Sequence, residues 1–133
     1  MLDHSCQVQR HPLRERGDDA YMTPPVRKAP AGCEGIVSNP PYRLAEQFVA
    51  HALELSPLVV MLLRLAFLES ERRCRILEDR GLARVLVFRK RLPMMHRAGW
   101  EGRKGDSGMA FAWFVWDRSH TGPTTIERIS WER

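Results

Sequence analysis

The stretch "IVSNPPY", residues 36–42, ends in Asn39, Pro40, Pro41 and Tyr42, four residues whose types suit the handling of a flat amine. An asparagine side-chain carbonyl accepts a hydrogen bond. Consecutive prolines stiffen the backbone, and their carbonyls have no adjacent N–H competing for space. A tyrosine face can stack on a planar ring. Together these parts offer two acceptors for the two protons of an exocyclic amine and a platform for the ring that carries it. Such an amine is a poor nucleophile, because its lone pair is delocalised into the ring. Acceptors that draw its protons out of the ring plane localise that pair for attack on a methyl donor. A base in a duplex must first leave the stack, at a cost of a few kcal/mol that stacking on Tyr42 partly offsets. The plainer reading of the same residues is a turn, since proline cannot donate to a sheet ladder and a strand stops there.

Other residues with chemical potential are fewer. The loop "RAGWEGRKGDSG", 97–108, places Arg97, Arg103 and Lys104 around Trp100, with glycines at every third position from Gly99 to Gly108. It reads either as a phosphate grip with an aromatic wedge for a base or as a solvated loop with an aromatic anchor. Arg64 and Glu69 follow an apolar run and stand either at the active face or in a structural ion pair. His96, between two methionines and an arginine, reads as a packed loop residue. The three cysteines, Cys6, Cys33 and Cys74, are far apart and form no CxxC pair. That pattern predicts reduced thiols in a cytoplasmic protein and gives no metal site.

The elements that must position these residues follow from periodicity. Residues 1–20 are polar and aperiodic, and 21–35 hold three prolines and two glycines, so 1–35 reads as a flexible arm and loop. "GIVSN" predicts a short strand ended by Pro40. "YRLAEQFVAHALEL" predicts a helix with Leu44, Phe48, Val49, Ala52 and Leu55 on one face, closed by Pro57. "LVVMLL", 58–63, predicts a buried strand running into a loop. "SERRCRILEDR", 70–80, predicts a charged helix capped by Gly81, and "LARVLVF", 82–88, a further strand. This alternation predicts an α/β domain over 36–133 built on a parallel sheet with right-handed crossovers and helices on its faces. "MAFAWFVWDR", 109–118, predicts a strand whose bulky face carries Phe111, Trp113 and Val115, giving a C-terminal antiparallel strand or hairpin. Phe111, Trp113 and Trp116 read as core, and "TIERISW" as a short edge strand.

Composition narrows the partners. A net charge of +5 favours an acidic one, nucleic acid first. The greasiest run, residues 58–68, is too short for a bilayer span and contains Arg64, so no membrane partner is expected.

The Asn39-Pro40-Pro41-Tyr42 motif resembles the (D/N/S)PP(Y/F/W) catalytic motif of amino-directed nucleic-acid methyltransferases, whose asparagine-first form is typical of adenine-N6 enzymes. The span from Ile36 to Asp117 also resembles phage- and prophage-type DNA methyltransferases through "NPPYRLAEQFV", "MLLRLAFLES", "PMMHRAGWEG" and "MAFAWFVWDR". The resemblance implies a Rossmann-like sheet, S-adenosylmethionine as cofactor and DNA as the expected nucleic acid. It also implies that Asn39 and Pro40 bind the target amine, that Pro41 shapes the turn and that Tyr42 stacks on the base. "DDAYMTPP", 18–25, resembles the entry segment of such enzymes, which implies that Tyr21 and Thr23 border the cofactor.

The same resemblance exposes a gap. Members hold the cofactor with a glycine-rich turn after a first strand and an acidic residue after a second. No GxG occurs in this chain, and only Val26 to Gly35 separate the entry segment from the NPPY strand. One parallel crossover alone takes about a dozen residues. The expectation is therefore a methyltransferase whose cofactor-binding half is deleted and which binds S-adenosylmethionine weakly or not at all. Its first strand should lie at an open edge, prone to self-association or to pairing with a complementing cofactor-binding chain. The alternative is a non-catalytic nucleic-acid-binding or vestigial fragment.

Overall fold

A computed structural model describes residues 34–93, 101, 105 and 108–132, which form a five-stranded mixed sheet with two helices. The elements are β1 (Ile36–Ser38), α1 (Ala45–Leu55), β2 (Leu58–Arg64), α2 (Cys74–Glu78), β3 (Leu82–Phe88), β4 (Phe111–Asp117) and β5 (Thr125–Ile129). Single 3₁₀ turns at Tyr42–Leu44, Leu65–Leu68 and Glu71–Arg73 connect them.

The α/β class and the order strand, helix, strand, helix, strand agree with the sequence expectation; the all-parallel pairing over 36–88 does not. The sheet runs β1-β2-β4-β3-β5. β1 and β2 pair in parallel, with Ile36 opposite Val59 and Ser38 opposite Met61. β4 then inserts between β2 and β3, antiparallel to both, with Met61 and Val85 each opposite Phe114. The expected antiparallel strand exists, but it lies inside the sheet. The reason is apolar content: β4 offers Ala112, Phe114 and Trp116 to the core, all without solvent exposure, and a strand that apolar gains most at the centre. β5 pairs in parallel with β3 at the far edge, its charged and largely exposed residues suiting an outermost strand.

Alternation along β2, β3 and β4 sends Val59, Met61, Leu63, Val85, Ala112, Phe114 and Trp116 to one buried face. That assignment corrects the predicted face of β4. Phe111, Trp113 and Val115 are only half-buried and occupy the opposite side, and Trp116 alone of the three expected core aromatics is fully enclosed. α1 covers the buried face through Ala45, Val49, Ala52 and Leu53, spaced as a helical stripe. The stripe includes Val49 and Ala52 as expected but is rotated, leaving Leu44, Phe48 and Leu55 half-buried. α2 is a single turn and a half, shorter than the periodicity suggested. It is held by Ile76 and Leu77 packed against the core and by the Trp116 indole, which donates to the Ile76 carbonyl at 2.9 Å. Among the described residues both helices pack against this one core, rather than on both faces of the sheet.

Aromatic contacts stiffen the centre. Phe114 lies against Trp116 with ring centroids 5.8 Å apart and meets Phe67 edge-on at 5.7 Å. Two turns set the strands' lower ends. Ser56, 1% exposed, donates its hydroxyl to the Leu58 carbonyl at 3.0 Å and accepts from the Leu58 amide at 3.3 Å. Gly81 adopts φ +74°, and a Cβ there would lie 2.4 Å from the Asp117 carbonyl oxygen. Its predicted capping role thus carries a steric demand that only glycine meets.

Candidate functional site

β1 ends at Ser38, and the chain reaches Asn39 at the carboxyl end of a parallel strand pair, where ligands of open α/β sheets bind. Pro40 is buried and roots the segment, whereas Asn39, Pro41 and Tyr42 are exposed. The Pro41 carbonyl accepts the Leu44 amide at 3.0 Å and so closes the 3₁₀ turn that starts α1. Turn and site are therefore one object. Pro41 spends its acceptor on the fold, while among the described residues the Asn39 side chain and the Pro40 carbonyl have no hydrogen-bond partner. Those two acceptors are the pair that the resemblance assigns to the amine.

These residues border a cleft of about 200 Å³ whose other walls include Leu62, Arg64, Phe67, Arg73 and Phe111. Arg64 ends β2 opposite Phe111, and the neighbouring Leu65 amide donates to the Ala110 carbonyl at 2.8 Å. From that position the Arg64 guanidinium lies over the Tyr42 ring, 3.9 Å from its centroid. This is a cation–π contact, and Tyr42 as a residue keeps 58% exposure with that face of its ring occupied. A flat ligand that stacks on the remaining face meets a ring already held in place. The Tyr42 phenol sits below its ordinary pKa, first because the Arg43 side chain donates to it, then through the charges of Arg43 and Arg64.

Of the alternatives for Arg64, the pair with Glu69 does not form, and stacking on Tyr42 takes its place. Arg73 was hidden in a charged helix and no periodicity singled it out. It enters the cleft because the 3₁₀ turn Glu71–Arg73 folds back on Phe67, whose ring it covers at 4.4 Å and whose carbonyl accepts from it at 3.1 Å. Phe111, expected as core, is a half-buried wall of the cleft. Tyr21 and Thr23, proposed beside a cofactor, and Arg97, Trp100, Arg103 and Lys104, proposed at nucleic acid, lie outside the described residues. His96 does as well.

The described residues do not fit S-adenosylmethionine. β1, the strand bearing the motif, is the outermost of the sheet on that side, and no described element flanks it to carry a glycine turn. The cleft is also smaller than the roughly 300–1,000 Å³ usual for sites that enclose a drug-sized ligand. No helix among the described residues is long and apolar enough to cross a membrane. No protein-family model matches the chain, and no curated protein is significantly similar to it.

Proposed function

We propose that the Asn39–Tyr42 cleft is the acceptor half of an amino-directed nucleic-acid methyl-transfer site of adenine-N6 type, within a partial Rossmann-like methyltransferase sheet. The observation that carries this reading is the pairing of two unspent acceptors, on Asn39 and Pro40, with an exposed, guanidinium-backed tyrosine at the carboxyl end of β1. In the proposed role, the Asn39 side-chain carbonyl and the Pro40 carbonyl accept hydrogen bonds from the two amine N–H groups and draw those protons out of the ring plane, so that the nitrogen lone pair is localised for the bond to the methyl carbon and one N–H proton then leaves to solvent. Tyr42 stacks on the base and replaces part of the stacking lost on leaving a duplex. The resemblance implies S-adenosylmethionine as the methyl donor, which would have to be held by residues other than the described ones. The residues of this chain account for the acceptor side alone.

The position of β1 favours a specific version of this reading. Its outer edge has no strand partner among the described residues, and Val37 is 48% exposed there. A cofactor-binding chain that adds strands at that edge would complete the site. The test is methyl transfer from labelled S-adenosylmethionine to unmethylated DNA, by the purified chain alone and with any cofactor-binding protein encoded beside it. Label in adenine that disappears in Asn39→Ala supports the reading. Absence of transfer in both settings, with salt-sensitive DNA binding retained, replaces it with a non-catalytic nucleic-acid-binding protein.

A further inference from the structure

Among the described residues, the buried side-chain nitrogens and oxygens that lack a hydrogen-bond partner are two: Nε of Arg64 and Nε of Arg73. Both arginines line the Asn39–Tyr42 cleft. Native proteins pair nearly all such groups, so two orphans in one place mark a site for an absent acceptor. The local charges agree. Glu46 is taken by Arg72 at 2.9 Å, and it lies 3.6 Å from Arg73 Nε, an ion-pair distance too long for a good hydrogen bond. Arg64 forms no ion pair among the described residues, and neither Glu69 nor Glu71 on the same connection pairs with it. Arg43 adds a further positive charge beside Tyr42. Of the two arginines that line the cleft, Arg64 has no carboxylate partner among the described residues and Arg73 has only the long contact to Glu46. Arg64 lies over the Tyr42 ring and Arg73 over the Phe67 ring; Arg73 spends one Nη on the Phe67 carbonyl, and the Nε donor of each remains without a hydrogen-bond partner.

We propose that Arg64 and Arg73 form an anion clamp in this cleft, and that it takes the phosphate of the nucleotide whose base Asn39 holds. The proposal deepens the acceptor-site reading and rests on it for the identity of the base. A phosphate suits the clamp because its oxygens match the planar fork of arginine bidentately. The clamp would also tie base capture to the backbone that delivers the base, with Tyr42 touching Arg64 on one face and the base on the other.

Isothermal titration of the full chain with adenosine, adenosine monophosphate and uridine monophosphate tests this. The expected result is that adenosine monophosphate binds about tenfold or more tighter than adenosine, since charge-assisted hydrogen bonds are lost without the phosphate. That preference should vanish in Arg64→Gln and in Arg73→Gln, with folding checked by circular dichroism. Arg64→Lys, which keeps a charge but not the fork, should retain only part of it. On a single-stranded DNA oligonucleotide, each glutamine substitution should reduce the slope of log affinity against log salt by about one. Equal binding of adenosine and its monophosphate, no binding of the monophosphate, or a preference that survives both glutamine variants overturns the clamp. The two readings fail separately. Uridine monophosphate bound as tightly as the adenine nucleotide, and dependent on Arg64, keeps the clamp and removes the amine site. Adenosine bound as well as its monophosphate, and lost in Asn39→Ala, does the reverse.

Discussion

The molecule has a cleft at each end of its parallel strands, and they differ in what their polar groups have been given to do. The one at the carboxyl end, bordered by Asn39, Tyr42, Arg64 and Arg73, measures about 200 Å³. The other, bordered by Glu54, Ser56, Asp79, Arg80, Gly81 and Arg118, is larger at about 580 Å³. Size would choose the second. Bonding chooses the first. In the larger cleft, Arg80 bonds Glu54 at 2.8 Å, Arg118 donates to the Leu53 carbonyl at 2.9 Å, and the buried Ser56 hydroxyl is satisfied within its own turn. These groups finish the fold. In the smaller cleft two guanidinium nitrogens and two acceptors remain unspent, and unspent hydrogen-bonding groups are what a ligand can use.

Substitutions at the two clefts should have opposite consequences. The largest effect on stability is expected at the fold-finishing end, where Gly81→Ala forces a Cβ to 2.4 Å from a backbone carbonyl at positive φ. Denaturant unfolding should register a loss of about 3 kcal/mol. Asn39→Ala should leave stability unchanged while lowering methyl transfer, once a donor-binding partner is supplied, on the order of 100-fold. Next comes a contrast between arginines. Arg118→Met loses a hydrogen bond to the Leu53 carbonyl and should cost about 1 kcal/mol. Arg64→Met removes an unsatisfied donor and should cost less than Arg118→Met in the same unfolding series. If Arg64→Met proves the more damaging of the two, Arg64 is structural and the contrast between the clefts collapses.

The smallest effect concerns Tyr42. Its phenol is held below its ordinary pKa, chiefly by Arg43 and less by Arg64. Positive neighbours favour the phenolate, so the proton leaves at lower pH than from a free tyrosine, and removal of a neighbour moves the midpoint upward. Ultraviolet titration in a Tyr21→Phe background should show a larger upward move in Arg43→Gln than in Arg64→Gln. The reverse order would mean that Arg64 sits nearer the hydroxyl than the ring face.

Local signals were legible where local physics decides them. Pro40 ended β1, Pro57 ended α1, and Gly81 had to be glycine. The limits of β3 follow its valine-rich run, and the short charged β5 is an edge strand as its composition suggested. The Asn39–Tyr42 segment could be read as a site because proline chemistry, an amide and an aromatic occur side by side, and such a motif needs no distant partner to be recognised.

What the chain could not announce is whatever depends on elements far apart in sequence. Alternation in "AFAWFVWD" is compatible with either face inward; pairing of Phe114 with Met61 and Val85 chose Ala112, Phe114 and Trp116. The same pairing put β4 between β2 and β3, because burying both sides of its backbone removes more apolar surface than an edge position would. Arg64 and Arg73 lie nine positions apart on a connection with no helical register between them, so only the turns at Leu65–Leu68 and Glu71–Arg73 could bring them to one cleft. Residue types alone thus determined where the chain turns and which segment is proposed to hold a flat amine. Tertiary packing determined which faces are core and which charges went unpaired, since burial and hydrogen-bond satisfaction are properties of surroundings.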